Sequence, residues 1–332
     1  MCKLFYPPCG VGIDTHTDLQ ARFIDTVRKE GIAAALDFLL PQKGEAELTH
    51  PRSVRFAWEA GDAPYLFELS EDEAFSAPFT VSTAEPFLEF SGFKVGQRYF
   101  WRVNGGESFF FQTKDSRFRF IEMEGALNVR DLGGIHIRQG LIYRGSEIDR
   151  EYKITERGKR VWKDQLGIKT ELNLRKETAA EGACCCVDGV RYKYLPYRPY
   201  SEVFEEEHRR GIVAIMEFLA DEDNYPIYFH CLGGADRTGM IALFLRALLG
   251  EDEEDILIDY ELTSLSSYAH GLAEGVAGLG FRSRETEYFR GFLERFYREN
   301  EGKTLGEKTE SFLLSCGVKR EILANIRSIL AK

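Results

Sequence analysis

His230-Cys-Leu-Gly-Gly-Ala-Asp-Arg-Thr-Gly239 is the stretch that decides how this chain folds. The apolar run Tyr225 to Phe229 precedes it, and Met240-Ile-Ala-Leu-Phe-Leu-Arg-Ala-Leu-Leu249 follows. A strand therefore delivers Cys231 to a tight loop, and a helix leaves from Arg237. Gly233 and Gly234 between them allow backbone turns that other residues resist. Several main-chain N–H groups and the positive end of a helix then aim at one point, which makes an anion site. A cysteine at its rim is expected to stand as thiolate near neutral pH. Phosphate is the natural occupant and attack on phosphorus the natural chemistry. The bland alternative is a buried cysteine in a Gly-rich strand-to-helix turn.

The decade resembles the phosphate-binding loop of the cysteine-dependent phosphatases, whose pattern is H-C-x(5)-R-S/T. That resemblance implies a role for each residue. Cys231 is the nucleophile that forms a thiophosphate intermediate, and Arg237 grips two phosphoryl oxygens. Main-chain N–H groups of Leu232, Gly233, Gly234, Ala235, Asp236 and Arg237 complete the cradle. His230 orients the cysteine, and the Thr238 hydroxyl stabilises the departing thiolate. Asp-Arg-Thr at 236–238 is similar to the loop of the atypical bacterial tyrosine/lipid phosphatases, H-C-x-x-G-x-D-R-T-G, and recurs in myotubularin and Sac phosphoinositide phosphatases. Two upstream stretches look like the opening of the bacterial group: Asn128-Val-Arg-Asp-Leu-Gly-Gly134 and Gly140-Leu-Ile-Tyr-Arg-Gly-Ser-Glu-Ile148. The resemblance runs from about residue 120 to the end of the chain.

A leaving alkoxide or phenoxide needs a proton, and the donor of that proton is less evident. The family offers a D-L-R strand end upstream, where this chain has Asn173-Leu174-Arg175. Asparagine cannot act as an acid. Asp236 is the first choice; it reads equally as a structural carboxylate that accepts loop N–H bonds. Glu202, Glu205, Glu206 and Glu207 form a third candidate, better read as the solvated start of a helix.

The chain has 332 residues, 44% hydrophobic and 29% charged, enough for two domains and ordinary for globular material. No apolar stretch approaches the length of a membrane span. The start, Met-Cys-Lys-Leu-Phe-Tyr-Pro-Pro-Cys, does not read as a secretory signal, so a cytoplasmic location is expected. Seven cysteines, with Cys184, Cys185 and Cys186 consecutive, are read as reduced thiols in a reducing compartment, with no zinc site. No metal or cofactor is expected. A net charge of −11 disfavours nucleic acid but does not oppose phosphate, which responds to the local field. Arg191, Lys193 and Arg198 either flank a polyanionic head group or are surface charges.

Three regions are expected along the chain. Residues 1–48 form a helical segment, with one amphipathic helix from Leu19 to Leu40 that Pro41 ends. Residues 49–116 change to period two: Val54, Phe56, Trp58; Tyr65, Phe67, Leu69; Tyr99, Trp101, Val103; Phe109, Phe111, Thr113. Such runs fit a small all-β sandwich. Phe93-Lys-Val-Gly-Gln-Arg-Tyr99 resembles the L-x-P-G-x-x-Y corner of fibronectin type III modules, where the tyrosine hydroxyl bonds back to the chain; Val95 stands where proline is usual. Modules of that kind bind or brace, which implies a protein partner.

Residues 117–332 alternate strands (141–144, 169–174, 190–195) with helices (Thr155–Leu166, 208–220). This is the α/β pattern of a mostly parallel central sheet flanked by helices, the cysteine-phosphatase fold. Helices at Asp255–Ser264, Arg284–Phe296 and Lys319–Leu330 resemble that family's helical tail, and 265–283 reads as a loop. The expected activity is phosphomonoester hydrolysis on a phosphorylated protein, chiefly phosphotyrosine. Phosphoinositides or inositol phosphates are the alternative. A phosphate-binding module without turnover is the rival from another class, and Asn173 is its foothold.

Overall fold

The computed structural model describes residues 4–31, 34–39, 47–176, 185–267 and 287–332. Cys184 and most of the stretch 265–283 lie outside the described residues. The chain is mixed α/β and divides into two compact units, Met1–Asp18 with Pro51–Ile121 and Leu19–His50 with Glu122–Lys332. Where the sequence sets the first 48 residues apart as one segment, the structure shares them between the units. Their short strands pair in the first, and their helix belongs to the second.

In the first unit, β1 (Leu4–Tyr6), β2 (Val11–Ile13), β3 (Val54–Trp58), β4 (Tyr65–Ser70), β5 (Phe79–Thr83), β6 (Phe87–Phe90), β7 (Arg98–Val103) and β8 (Phe109–Thr113) form two sheets. Their orders are β1-β3-β6 and β2-β8-β7-β4-β5, and β2 runs parallel to β8 while the other pairs are antiparallel. Alternation sends Val54, Phe56, Trp58, Tyr65, Phe67, Tyr99, Trp101, Val103 and Phe111 into one buried core. The Phe56 ring meets those of Phe67 and Trp101 edge-on at 5.0 and 5.2 Å, so both sheets contribute to it. At the corner before β7, the Lys94 N–H donates to Tyr99 Oη at 2.9 Å. A two-residue strand, β9 (Arg119–Phe120), follows.

The second unit takes α1 (Asp18–Glu30) and α2 (Ala34–Leu39). One helix was expected here, and Gly31 is the reason there are two. It lies at φ +85° and its N–H donates to the Val27 carbonyl at 2.8 Å, an ordinary helix stop. Phe23 and Val27 are buried as the spacing requires, while Ile32 and Leu40 lie outside the described residues or side chains.

Next come β10 (Arg130–Asp131), β11 (Ile142–Gly145), α3 (Glu156–Arg160), β12 (Thr170–Asn173), β13 (Arg191–Tyr194), α4 (Glu206–Leu219), β14 (Ile227–His230), α5 (Asp236–Leu248) and α6 (Glu253–Glu261). The helix expected to run to Leu166 does continue, but as a π-helical turn over Val161–Gln165. Within this unit the strand order is β13-β12-β14-β11-β10. The first four strands are parallel and β10 is antiparallel to β11. Gly145 and Asn173 both stand in register with His230, so β11, β12 and β14 end level and open their loops at one edge. Ligands bind at that edge in open α/β sheets.

Three helices follow: α7 (Glu287–Glu299), α8 (Leu305–Ser315) and α9 (Arg320–Leu330). Of these, α8 is not expected from the sequence, because its apolar residues are too few for a clear stripe. It starts with a full capping box, Thr304 with Glu307, and packs on α5. From Thr238 to Leu248, α5 is buried all round.

Candidate active site

Cys231 is the first residue beyond β14 and only 2% exposed. Gly234 turns at φ +67°, a conformation that costs an L side chain but not glycine. The loop's orientation follows from where its carbonyls go. Cys231 O lies 3.0 Å from His230 Nδ1, and Leu232 O accepts from the Glu147 N–H at 2.8 Å. Gly233 O accepts from Asn128 Nδ2 at 3.1 Å, and Gly234 O from Asn128 Nδ2 at 3.2 Å and Arg144 Nη2 at 2.7 Å. A trans peptide points its N–H away from its C=O. With these four carbonyls held by the protein, the N–H groups of Leu232, Gly233, Gly234 and Ala235 turn to the other side of the loop. The first turn of α5, with its own outward N–H groups, continues the same arc.

The ties are themselves held by a buried ionic cluster. Asp259 accepts from Arg130 Nε at 3.1 Å and from Arg144 Nη1 at 2.6 Å, and Arg246 Nε lies 3.7 Å away. Burial alone would push the Asp259 carboxyl up; the Arg144, Arg246 and Arg130 guanidiniums outweigh it and hold the carboxyl well below the usual range. Burial pushes Arg130 down to about 9, against the pull of Asp259. Arg130 also donates to Asn128 Oδ1, fixing the amide whose other end carries Gly233 and Gly234. In the sequence Asn128, Arg130 and Arg144 stand out only as parts of a family motif, and nothing marks Asp259. Three guanidiniums thus gather around one carboxylate behind the loop, although the whole chain is acidic.

On the other side, Asp236 is the first residue of α5 and accepts from Tyr200 Oη, which in turn meets Tyr260 Oη at 2.6 Å. Tyr200 holds φ +63°, a genuine strain for a bulky residue, and that backbone sets its phenol on Asp236. Arg237 is half-buried, and its carbonyl accepts from Tyr197 Oη. Burial first, and Cys231 next, push the Tyr197 phenol well up. Thr238 is fully buried, and its hydroxyl has no hydrogen-bond partner among the described residues.

Asn173 is fully used. Its Nδ2 donates to Tyr192 Oη at 2.8 Å, and its Oδ1 accepts from the Arg175 N–H at 2.9 Å and Nε at 3.1 Å. Arg175 then pairs with Glu147 and with Asp149, so this strand end is a clamp made of an amide and an ion pair. Among the glutamates, Glu202 pairs with Arg198, and Glu206 opens α4. Arg191 donates to the Asp223 carbonyl. One residue absent from the sequence reading stands out: Glu171, buried in β12, places Oε1 2.8 Å from His230 Nε2. Its signal was available as a carboxylate in the middle of a strand predicted to be buried.

Residues 121–331 match the model of the tyrosine phosphatase family. Among solved structures, the chain is similar to the core catalytic domain of the PP-IP phosphatase SIW14 from S. cerevisiae in complex with citrate. The two are 18% identical over 38% of this chain and 74% of that one, at a TM-score of 0.30. It is also similar to P. aeruginosa TpbA, 16% identical over 57% of this chain and 91% of that one, at a TM-score of 0.33. No curated protein matches the chain.

Proposed function

The chain belongs to the tyrosine phosphatase family, and from that premise we propose that it is a metal-independent phosphomonoesterase that works through a phosphocysteine. The observation that carries this reading is the row of loop carbonyls from Cys231 to Gly234, each engaged by the protein, beside a deep cysteine. Such a loop meets the equatorial oxygens of a phosphoryl group with preset N–H donors, which need no reorganisation as charge builds.

In this reading the Cys231 thiolate attacks phosphorus while Arg237 and the loop N–H groups hold the oxygens. Asp236 gives its proton to the leaving oxygen as the P–O bond breaks. Water then attacks the phosphocysteine, its proton passing to Asp236, and the thiolate departs toward the buried hydroxyl of Thr238. Protein phosphotyrosine is the favoured substrate, because a phenol-borne phosphate is long enough to reach a cysteine this deep. One observation favours phosphoinositides or inositol phosphates as a second reading: the aspartate of Asp-Arg-Thr, which recurs in phosphatases of that kind.

The first unit is read as a fibronectin type III-like module that binds a protein partner or braces the chain. Its two facing sheets and the Lys94–Tyr99 corner support that reading. A nucleophilic thiolate also requires surroundings that keep it reduced, as a cytoplasmic location provides.

Release of p-nitrophenol from its phosphate should be abolished by Cys231→Ser and unaffected by chelators. A wild type that binds phosphate but turns over no faster than that variant would remove the enzymatic reading. Phosphotyrosine peptides and phosphoinositides assayed side by side decide the substrate.

A further inference from the structure

We propose that Glu171 is a positioning residue for the anion loop, keeping a proton on His230 Nδ1 so that it donates to the Cys231 carbonyl and turns the Leu232 N–H into the cradle. The inference rests on the reading above only for the identity of the anion.

His230 is completely buried and Glu171 nearly so. Each ring nitrogen of His230 faces an oxygen: Nε2 faces Glu171 Oε1 at 2.8 Å, and Nδ1 faces the Cys231 carbonyl at 3.0 Å. A carbonyl only accepts, so Nδ1 must carry hydrogen. The second proton of the dyad lies between Nε2 and Oε1. Whichever atom holds it, Nδ1 remains a donor. A buried imidazole without the carboxylate would be free to take the other tautomer, and a bare Nδ1 would then repel the carbonyl. A partner on one ring nitrogen setting the role of the other is the same logic by which carboxylates orient metal-bound histidines.

The other titratable groups around the dyad leave this arrangement intact. Tyr228, whose ring lies tilted at 5.8 Å from that of His230, donates its hydroxyl to the Ser146 carbonyl. Tyr192 is engaged by Asn173, and Asp149 by Arg175. The Cys185 thiol also bonds Glu171, and its neighbour Cys186 reaches the Ile148 carbonyl at 3.5 Å. The Cys231–Leu232 peptide is the first of the four that set the cradle, and it is the one whose carbonyl meets a titratable partner rather than an amide or a guanidinium.

The test begins on the wild type: nitrogen NMR of labelled histidine should find Nδ1 of His230 protonated at neutral pH. A bare Nδ1 overturns the proposal. Binding of inorganic phosphate, followed by calorimetry, is then compared across variants. Glu171→Gln retains an amide that donates to Nε2 and leaves hydrogen on Nδ1, so it should bind phosphate as the wild type does. Glu171→Leu should bind about tenfold more weakly, the loss of one oriented donor to an anion. Wild-type affinity in Glu171→Leu, or an equal loss in both variants, overturns the proposal. If the leucine variant does not fold, the NMR result and the glutamine variant still decide. Neither readout needs turnover, so a wild type with the protonated Nδ1 that binds phosphate but hydrolyses nothing would end the enzymatic reading and leave this one standing.

Discussion

Gly234 backs directly onto Gly145: a Cβ on Gly234 would collide with the backbone of Gly145, and a Cβ on Gly145 would collide with the Tyr228 hydroxyl. Two bare backbones therefore share the space between the end of β11 and the loop after β14. Gly234→Ala must strain φ +67° and push the loop off the sheet at once. Displacement of about 1 Å is enough to cost about 100-fold in turnover, and the strained conformation itself costs about 1–3 kcal/mol. Aryl phosphate hydrolysis and a denaturation midpoint measure the two losses separately.

Asp259 should shape the acid limb of stability. Its folded-state pKa is depressed, so its contribution is fully present above the unfolded carboxylate value of about 3.9 and is lost as pH falls through the folded value. Urea midpoints taken from pH 6 downward should fall most steeply below about pH 4. Asp259→Asn leaves three buried guanidiniums short of their shared carboxylate and should cost about 3–5 kcal/mol at neutral pH while flattening that limb. An unchanged acid slope in the variant would assign it to other carboxylates.

Asp236→Asn separates the acid role from a structural one. An asparagine still accepts from Tyr200 but has no proton to give. Alkyl phosphates, whose leaving groups need that proton, should slow by about 100-fold or more, while p-nitrophenyl phosphate slows far less. Equal losses on both substrates would return Asp236 to a structural role and leave the proton to another group.

Tyr99→Phe tests the first unit alone. The substitution keeps the buried ring and removes the acceptor of the Lys94 N–H. An orphaned donor of this kind costs about 1–3 kcal/mol, visible as a lower melting midpoint for that unit. Hydrolysis of a small aryl phosphate should be unchanged, because the groups proposed to act in it all lie in the second unit.

What was legible in the chain was what is local in it. Cys231, Arg237 and the glycines between them are neighbours, and the change from a short apolar run to a helical stretch marks strand, loop and helix directly. The Asn173 position was legible too, as a place where an acid is missing. The partners that hold the loop were not. Glu171 meets His230 across 59 residues, and Arg144 meets Asp259 across 115, pairings that no periodicity records. Lys, Arg and Glu in the sequence look alike whether solvated or buried, so Arg130, Arg144 and Arg246 gave no sign of sharing one carboxylate. The break at Gly31 is hidden for a simpler reason: an apolar stripe on both sides of a glycine looks continuous until the backbone turns left-handed there.

The loop carbonyls are engaged by residues at 128, 144, 147 and 230, which come together when β11 has paired with β14. An anion that binds this loop is therefore expected to favour the folded domain over an unravelled one. If the loop holds inorganic phosphate as proposed, the anion also stabilises the folded domain by mass action, by about 2.7 kcal/mol at a hundred times its dissociation constant. The anion that the site is proposed to release would then also govern how long the domain survives between encounters with its substrate.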